Sequence, residues 1–146
     1  RHESLTDQLY IKVMRIRSIE RTGEARVDEG IIPEFIGLVN YAIMGQIQLE
    51  LGEADSVDLE VEDALRLYDA VAQRTFRLMM DKNHDYGEAW RSMRTTSFTD
   101  MILSKVLRTK QIEDNNGATL VSEGIEANYM DIVNYAIFAL IRLMVE

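Results

Sequence analysis

Asn128, Asp131 and Asn134 stand three residues apart in a segment that is otherwise almost wholly apolar. On a helix that spacing lays them along one stripe. A carboxylate carried into apolar surroundings is costly unless it is paired, hydrogen-bonded or holding a cation. Asp131, with Glu123 and Glu126 on the turns before it, is the candidate metal-binding set, and ligands made only of oxygen suit Mg²⁺ or Mn²⁺ rather than zinc. Asn134 either reads a ligand or closes a core network that fixes helix register.

On the preceding predicted helix, Lys105, Thr109 and Glu113 fall on one i, i+4 row with Arg108 beside them. Lys105 and Arg108 are candidates to clamp a phosphate or carboxylate, with Arg supplying a planar fork. The competing reading is a solvated face with a spread of charge. A third group lies in the run Lys82–Arg91, which holds the single Trp. Tyr86 and Trp90 offer flat faces that suit stacking on a base. Four apart, they also suit plugging the end of a bundle, and the plug is the preferred reading. His84 reads as structural. No phosphate-binding loop, dinucleotide fingerprint, zinc-protease motif, serine nucleophile elbow or EF-hand loop is present.

The elements that must position these residues come from a duplication. Residues 1–21 align without gaps on 94–114, and after a one-residue insertion 29–49 align on 123–143, with 19 identities over 42 positions. Lys12, Arg15 and Glu20 thus match Lys105, Arg108 and Glu113, and Asn40 matches Asn134. Asp131 is replaced by Gly37 and Asn128 by Glu34, so the first copy is expected to be degenerate there. The second copy is preceded by a long helical pattern and the aromatic–glycine segment. An equivalent upstream helix and loop are expected to belong to the first unit.

Apolar spacing predicts helices over about 5–21, 33–51, 59–82, 98–114 and from 122–125 to the end. Ser4-x-x-Asp7 and Ser97-x-x-Asp100 read as capping-box-like starts. Pro33 suits a first helical turn and Gly52 a stop, and Asn115-Asn116-Gly117 reads as a turn. No stretch alternates as a strand would. The expectation is an all-α bundle of about five helices, a single domain over 1–146. Two tandem helix-hairpin repeats, 1–51 and 58–146, would be related by a pseudo-twofold axis and bridged by the long helix.

The chain of 146 residues carries 16 Lys and Arg against 25 Asp and Glu, a net charge of -9. That disfavours a phosphate-backbone binder, so nucleic acid is not an expected partner. The 47% hydrophobic and 28% charged composition is that of a folded chain, not a disordered one. Without cysteine there is no disulfide, thiolate metal site or cysteine nucleophile. No secretory signal or membrane span is visible, and a cytoplasmic location is expected.

Taken together, His-Asp-Tyr86-Gly-Glu-Ala-Trp90, Lys105-x-x-Arg108 and Glu123-x-x-Glu126 followed by Asp131-x-x-Asn134-Tyr-Ala resemble the first type of nucleotide-modification-associated domain, in a duplicated form. The second copy carries the pattern from about Lys82 to Leu143 and the first from Arg1 to Leu49. The resemblance implies an association with nucleotide metabolism, without an assigned reaction. More distantly the chain is similar to MazG-type all-α nucleoside triphosphate pyrophosphatases, which set acidic residues around Mg²⁺; their paired-glutamate motif is not evident here. The leading expectation is a nucleotide-binding protein, with Mg²⁺-dependent phosphohydrolase activity as its catalytic form. Asp131, Glu123 and Glu126 would hold the cation, Lys105 and Arg108 the phosphates, and Asn134 a ligand or water, with Tyr86 or Trp90 stacking the base. The rival is a non-catalytic helical interaction module. Homo-oligomerisation is expected on either reading.

Overall fold

A computed structural model of the chain describes residues 2–23, 30–52, 60–115 and 121–145, with the backbone alone for residues 2 and 121–123. The elements are α1 (His2–Thr22), α2 (Ile32–Leu51), α3 (Val61–Tyr86), a 3₁₀ turn (Ala89–Ser92), α4 (Thr95–Asp114) and α5 (Val121–Met144). There is no strand among the described residues, and the all-α bundle expected from the apolar spacing is what forms.

Several boundaries follow from local chemistry. Pro33 sits in the first turn of α2, where its missing N–H is no loss. Gly52 ends that helix with φ 79°, a conformation that favours glycine. The serines, however, are not caps. α1 is already helical from His2 and α4 from Thr95, so Ser4 and Ser97 lie inside their helices. The residue that precedes α4 is Arg94, extended and without a side-chain cap bond. The chain leaves the 3₁₀ turn directly into α4, so the seating of that turn sets the helix start. The expected α3 start at Leu59 and the turn residues Asn116 and Gly117 lie outside the described residues.

The duplication folds as two antiparallel hairpins, α1–α2 and α4–α5, packed face to face. Matching positions of the two copies are buried together: Leu9 with Ile102, Val13 with Val106, Leu38 with Ile132, Ala42 with Ala136. Two reciprocal bonds show the pseudo-twofold relation in side chains. The Thr6 hydroxyl donates to Glu113 at 2.9 Å, and its counterpart Thr99 donates to Glu20, the counterpart of Glu113, at 3.0 Å. α1 and α4 therefore run antiparallel. So do α2 and α5: Gly45, late in α2, faces the ring of Tyr129, early in α5. A Cβ on Gly45 would stand 2.6 Å from that ring. At the matching positions of the two copies Phe35 stands for Tyr129 and Ala139 for Gly45, both fully buried, so the smaller ring goes with the residue that has a methyl group.

α3 lies across α2 and α5 instead of within a hairpin. Arg74 ties it to both, reaching Glu50 at the end of α2 and Glu126 near the start of α5. Val71, Thr75 and Met79 are its buried residues. No described helix is long and apolar enough to cross a membrane.

Candidate functional site

The end of α3 builds one wall of the site. Gly87 and Glu88 both adopt left-handed backbone, φ 59° and 61°. That is ordinary for glycine and uncommon for glutamate. Glu88 is held there from two sides: its N–H donates to the Asn83 carbonyl, and its carboxylate accepts from Arg91. Bonds from Arg91 and from the Asn83 side chain hold that carboxyl below its usual range. Two consecutive left-handed residues turn the chain back, so that Trp90 points into the bundle. The Trp90 Nε1–H donates to Asn83 Oδ1 at 2.7 Å. Its ring stacks on Phe138 with centroids 4.6 Å apart, and the Arg91 guanidinium lies 4.4 Å from the ring centre. Two groups this close occupy its two faces.

Between this wall, α4 and α5 lies a cavity of about 360 Å³, lined by Lys82, Tyr86, Trp90, Asp131, Asn134 and Tyr135 among others. Met79, Met93 and Met101 supply apolar, adaptable lining. The volume is at the small end of the range for small-molecule sites. Asp131 is bridged by two ammonium groups, Lys82 at 3.1 Å and Lys105 at 3.2 Å. The local balance is therefore one positive charge in excess. Tyr135 is half-buried beside this cluster. Burial first, and Asp131 second, push its hydroxyl above the usual phenol range, with Lys105 and Lys82 opposing. Asn134 is 4% exposed, and neither its Nδ2 nor its Oδ1 finds a partner among the described residues.

The predicted residues divide. Asp131, Asn134, Tyr86 and Trp90 line one cavity, and Lys105 reaches it through Asp131. Trp90 has both faces occupied and is 8% exposed, so it plugs and shapes the site and offers no face to a base. Tyr86 is 73% exposed and keeps a face free. Arg108 is not part of the constellation. It lies on the outer side of α4, in a shallow hollow with Arg17 and Asp100. Lys105 and Arg108 are three positions apart, and the 60° between them is enough to send one toward α5 and the other to solvent. The expected acidic trio does not assemble either. Glu126 and Asp131, five positions apart, project about 140° from each other on a helix. Glu126 joins Glu50 around Arg74, while Asp131 joins the two lysines. The Glu123 side chain lies outside the described residues, and among the described residues no three His, Cys, Asp or Glu converge on one point.

Sequence reasoning missed Lys82, Asn83 and Tyr135. Lys82 and Asn83 were legible only as members of the aromatic–glycine segment, and no spacing rule ties Lys82 to Asp131 across 49 residues. In the first copy the counterpart is filled by its own side chains. Lys12 and Arg15 both pair with Glu34, at 3.6 and 3.0 Å. The Lys12 side chain lies over Gly37, so close that a Cβ there would stand 2.7 Å from it. Asn40 accepts a 2.7 Å bond from Tyr68 of α3. Asn134 has no such neighbour.

A family model described as nucleotide modification associated domain 1 matches residues 1–49 and 82–143, most of the chain. The chain belongs to this family. One matched stretch falls in each copy of the repeat, and the second begins at Lys82, one of the residues that line the cavity. Members of nucleotide modification associated domain 1 are grouped by a domain of unknown function related to nucleotide modification, with no reaction attached. No curated protein and no solved structure matches the chain.

Proposed function

We propose that the chain binds a nucleotide in the cavity between α3, α4 and α5. The observation that carries this reading is the Asn134 amide: a donor and an acceptor, side by side, buried and unpartnered at the cavity wall. Leaving such groups dry and unpaired is unfavourable, and a ligand edge that presents an acceptor beside a donor relieves it. Every nucleobase has such an edge. Tyr86 supplies a free aromatic face for stacking. Lys82 and Lys105, sharing one carboxylate, supply the excess positive charge for a phosphate. The family's link to nucleotide modification agrees with a nucleotide ligand.

Hydrolysis of a triphosphate is the catalytic extension of this reading. It would require a cation that arrives with the nucleotide and takes Asp131 from its lysines, since Glu126 is engaged elsewhere. Binding without cleavage needs no such exchange and is the reading adopted here.

The test is a titration of the whole chain with nucleosides, nucleoside monophosphates and triphosphates, with and without Mg²⁺, read by thermal shift and by Trp90 fluorescence. A ligand at about a hundred times its Kd adds roughly 2.7 kcal/mol of stability. Nucleotides are expected to raise the melting temperature and to alter the emission of the single Trp, which lines the cavity. Tyr86→Ala is expected to weaken both responses. A flat panel overturns the proposal, and release of pyrophosphate from a responding triphosphate would establish the hydrolytic extension.

A further inference from the structure

α3 carries more apolar surface than the bundle covers. At 100° per residue, its buried residues Val71, Thr75 and Met79 occupy one arc, and Val61, Leu65, Phe76 and Met80 continue that arc by about another 100°. These four are 49% to 73% exposed. Of these four, Phe76 lines a groove of about 420 Å³ whose wall is α3, at Tyr68, Ala72, Gln73, Phe76 and Arg77, and whose floor is Val39, Ile43, Val133 and Ile137.

That floor is the duplication seen from outside. Val39 matches Val133 and Ile43 matches Ile137, so the surface under α3 is twofold-symmetric while α3 itself, among the described residues, has no counterpart. The groove is the second seat of a two-seat surface. Its geometry asks for a helix like α3, running antiparallel to it. The charges on α3 are arranged for the same occupant. Asp69 and Arg77 are exposed and lie four residues either side of Gln73. An antiparallel pairing of two α3 helices about Gln73 sets Asp69 of one protomer beside Arg77 of its partner, and the reverse. The same register brings Leu65 of one protomer to within one residue's rise, about 1.5 Å, of the level of Met80 of its partner. We infer that the groove is the homodimer seat: two copies of this chain associate through a twofold axis at Gln73, each lending its α3 to the other's groove. The inference is independent of the nucleotide reading, since none of Leu65, Asp69, Arg77 or Met80 lines the cavity.

The experiment is sedimentation equilibrium, with light scattering after size exclusion, on the whole chain and four variants. The wild type is expected to dimerise. Leu65→Asp combined with Met80→Asp is expected to be monomeric with its helical circular dichroism retained, because both side chains are largely exposed in the isolated protomer. Asp69→Arg and Arg77→Asp, each alone, set like charges together twice and are expected to weaken association about tenfold or more. The two combined restore the opposite-charge pairs and are expected to recover most of the loss. A wild type that stays monomeric overturns the inference, as does a dimer indifferent to Leu65→Asp with Met80→Asp. A charge swap that fails to rescue overturns it too, because the pairing register would then be wrong.

Discussion

Replacing Asn134 by Leu separates a residue kept for packing from one kept for a ligand. The two side chains have the same branching and the same number of heavy atoms, and the larger bulk of the two methyl groups can extend into the adjoining cavity. In the free protein the amide is 4% exposed with both polar atoms unpartnered. A buried donor or acceptor without a partner costs about 1–3 kcal/mol, and an apolar replacement of the same shape removes that cost. For a chain of this size 1 kcal/mol moves the melting temperature by about 2–4 °C. The free Asn134→Leu protein is therefore expected to melt a few degrees higher than wild type, measured by circular dichroism or calorimetry at pH 7. Its affinity for the nucleotide that stabilises wild type is expected to fall by one to two orders of magnitude, since two bonds to the base edge are lost. Stability and affinity thus move in opposite directions. A variant that melts several degrees lower and binds as wild type does would refute the reasoning, and would make Asn134 a structural residue like Asn40, which Tyr68 satisfies.

Three further perturbations test other parts of the structure. Lys105→Met is expected to weaken a nucleoside monophosphate about tenfold while leaving the parent nucleoside unchanged, as isothermal titration would show, because it removes one of two ammonium groups at Asp131. Glu20 and Glu113 have carboxyls pushed above the ordinary 4.5, burial being the main cause and the bonds from Thr99 and Thr6 opposing it. A raised carboxyl favours the folded state when protonated, and that stabilisation is lost as pH rises through the folded value. The melting temperature is therefore expected to rise on moving from pH 7 toward 5 by more in wild type than in Glu20→Gln with Glu113→Gln, and equal profiles would contradict the assignment. Gly45→Ala drives a methyl group into the Tyr129 ring and is expected to cost about 1–3 kcal/mol in denaturant unfolding. The loss should shrink when Tyr129→Phe is added, which recreates the Phe35–Ala139 combination of the other half.

The architecture was legible because the duplication prints each element twice. A pattern such as Val-Asn-Tyr-Ala-Ile, once in each copy, fixes two helices and their mutual register together. Helix ends were less legible: Ser4 and Ser97 carry the composition of caps, yet tertiary placement of the 3₁₀ turn starts α4 at Thr95. At the site, Asp131 and Asn134 stood out because polarity inside an apolar stripe requires a partner. Which partner each had was not legible, because Lys82 lies 49 residues from Asp131 and no local rule spans that distance. Arg108 shows the opposite failure. Retention through the duplication drew attention to it, but its counterpart Arg15 is kept for an ion pair with Glu34, so the shared residue marks ancestry and not a shared task.

The salt-bridged first copy gives the two halves of the molecule different evolutionary latitude. Glu34 is gripped by Lys12 and Arg15, Lys12 lies across Gly37 and Tyr68 holds Asn40, so in the first hairpin the positions that match the site are closed by partners within the protein. The second hairpin keeps the same backbone but leaves an amide facing outward to the cavity. A single ancestral hairpin would have had to fold and to recognise with the same side chains. Once doubled, the descendant can let one half drift toward stability, and on the proposed nucleotide reading substitutions of the same kind at matched positions are expected to register as lost folding on one side and lost recognition on the other.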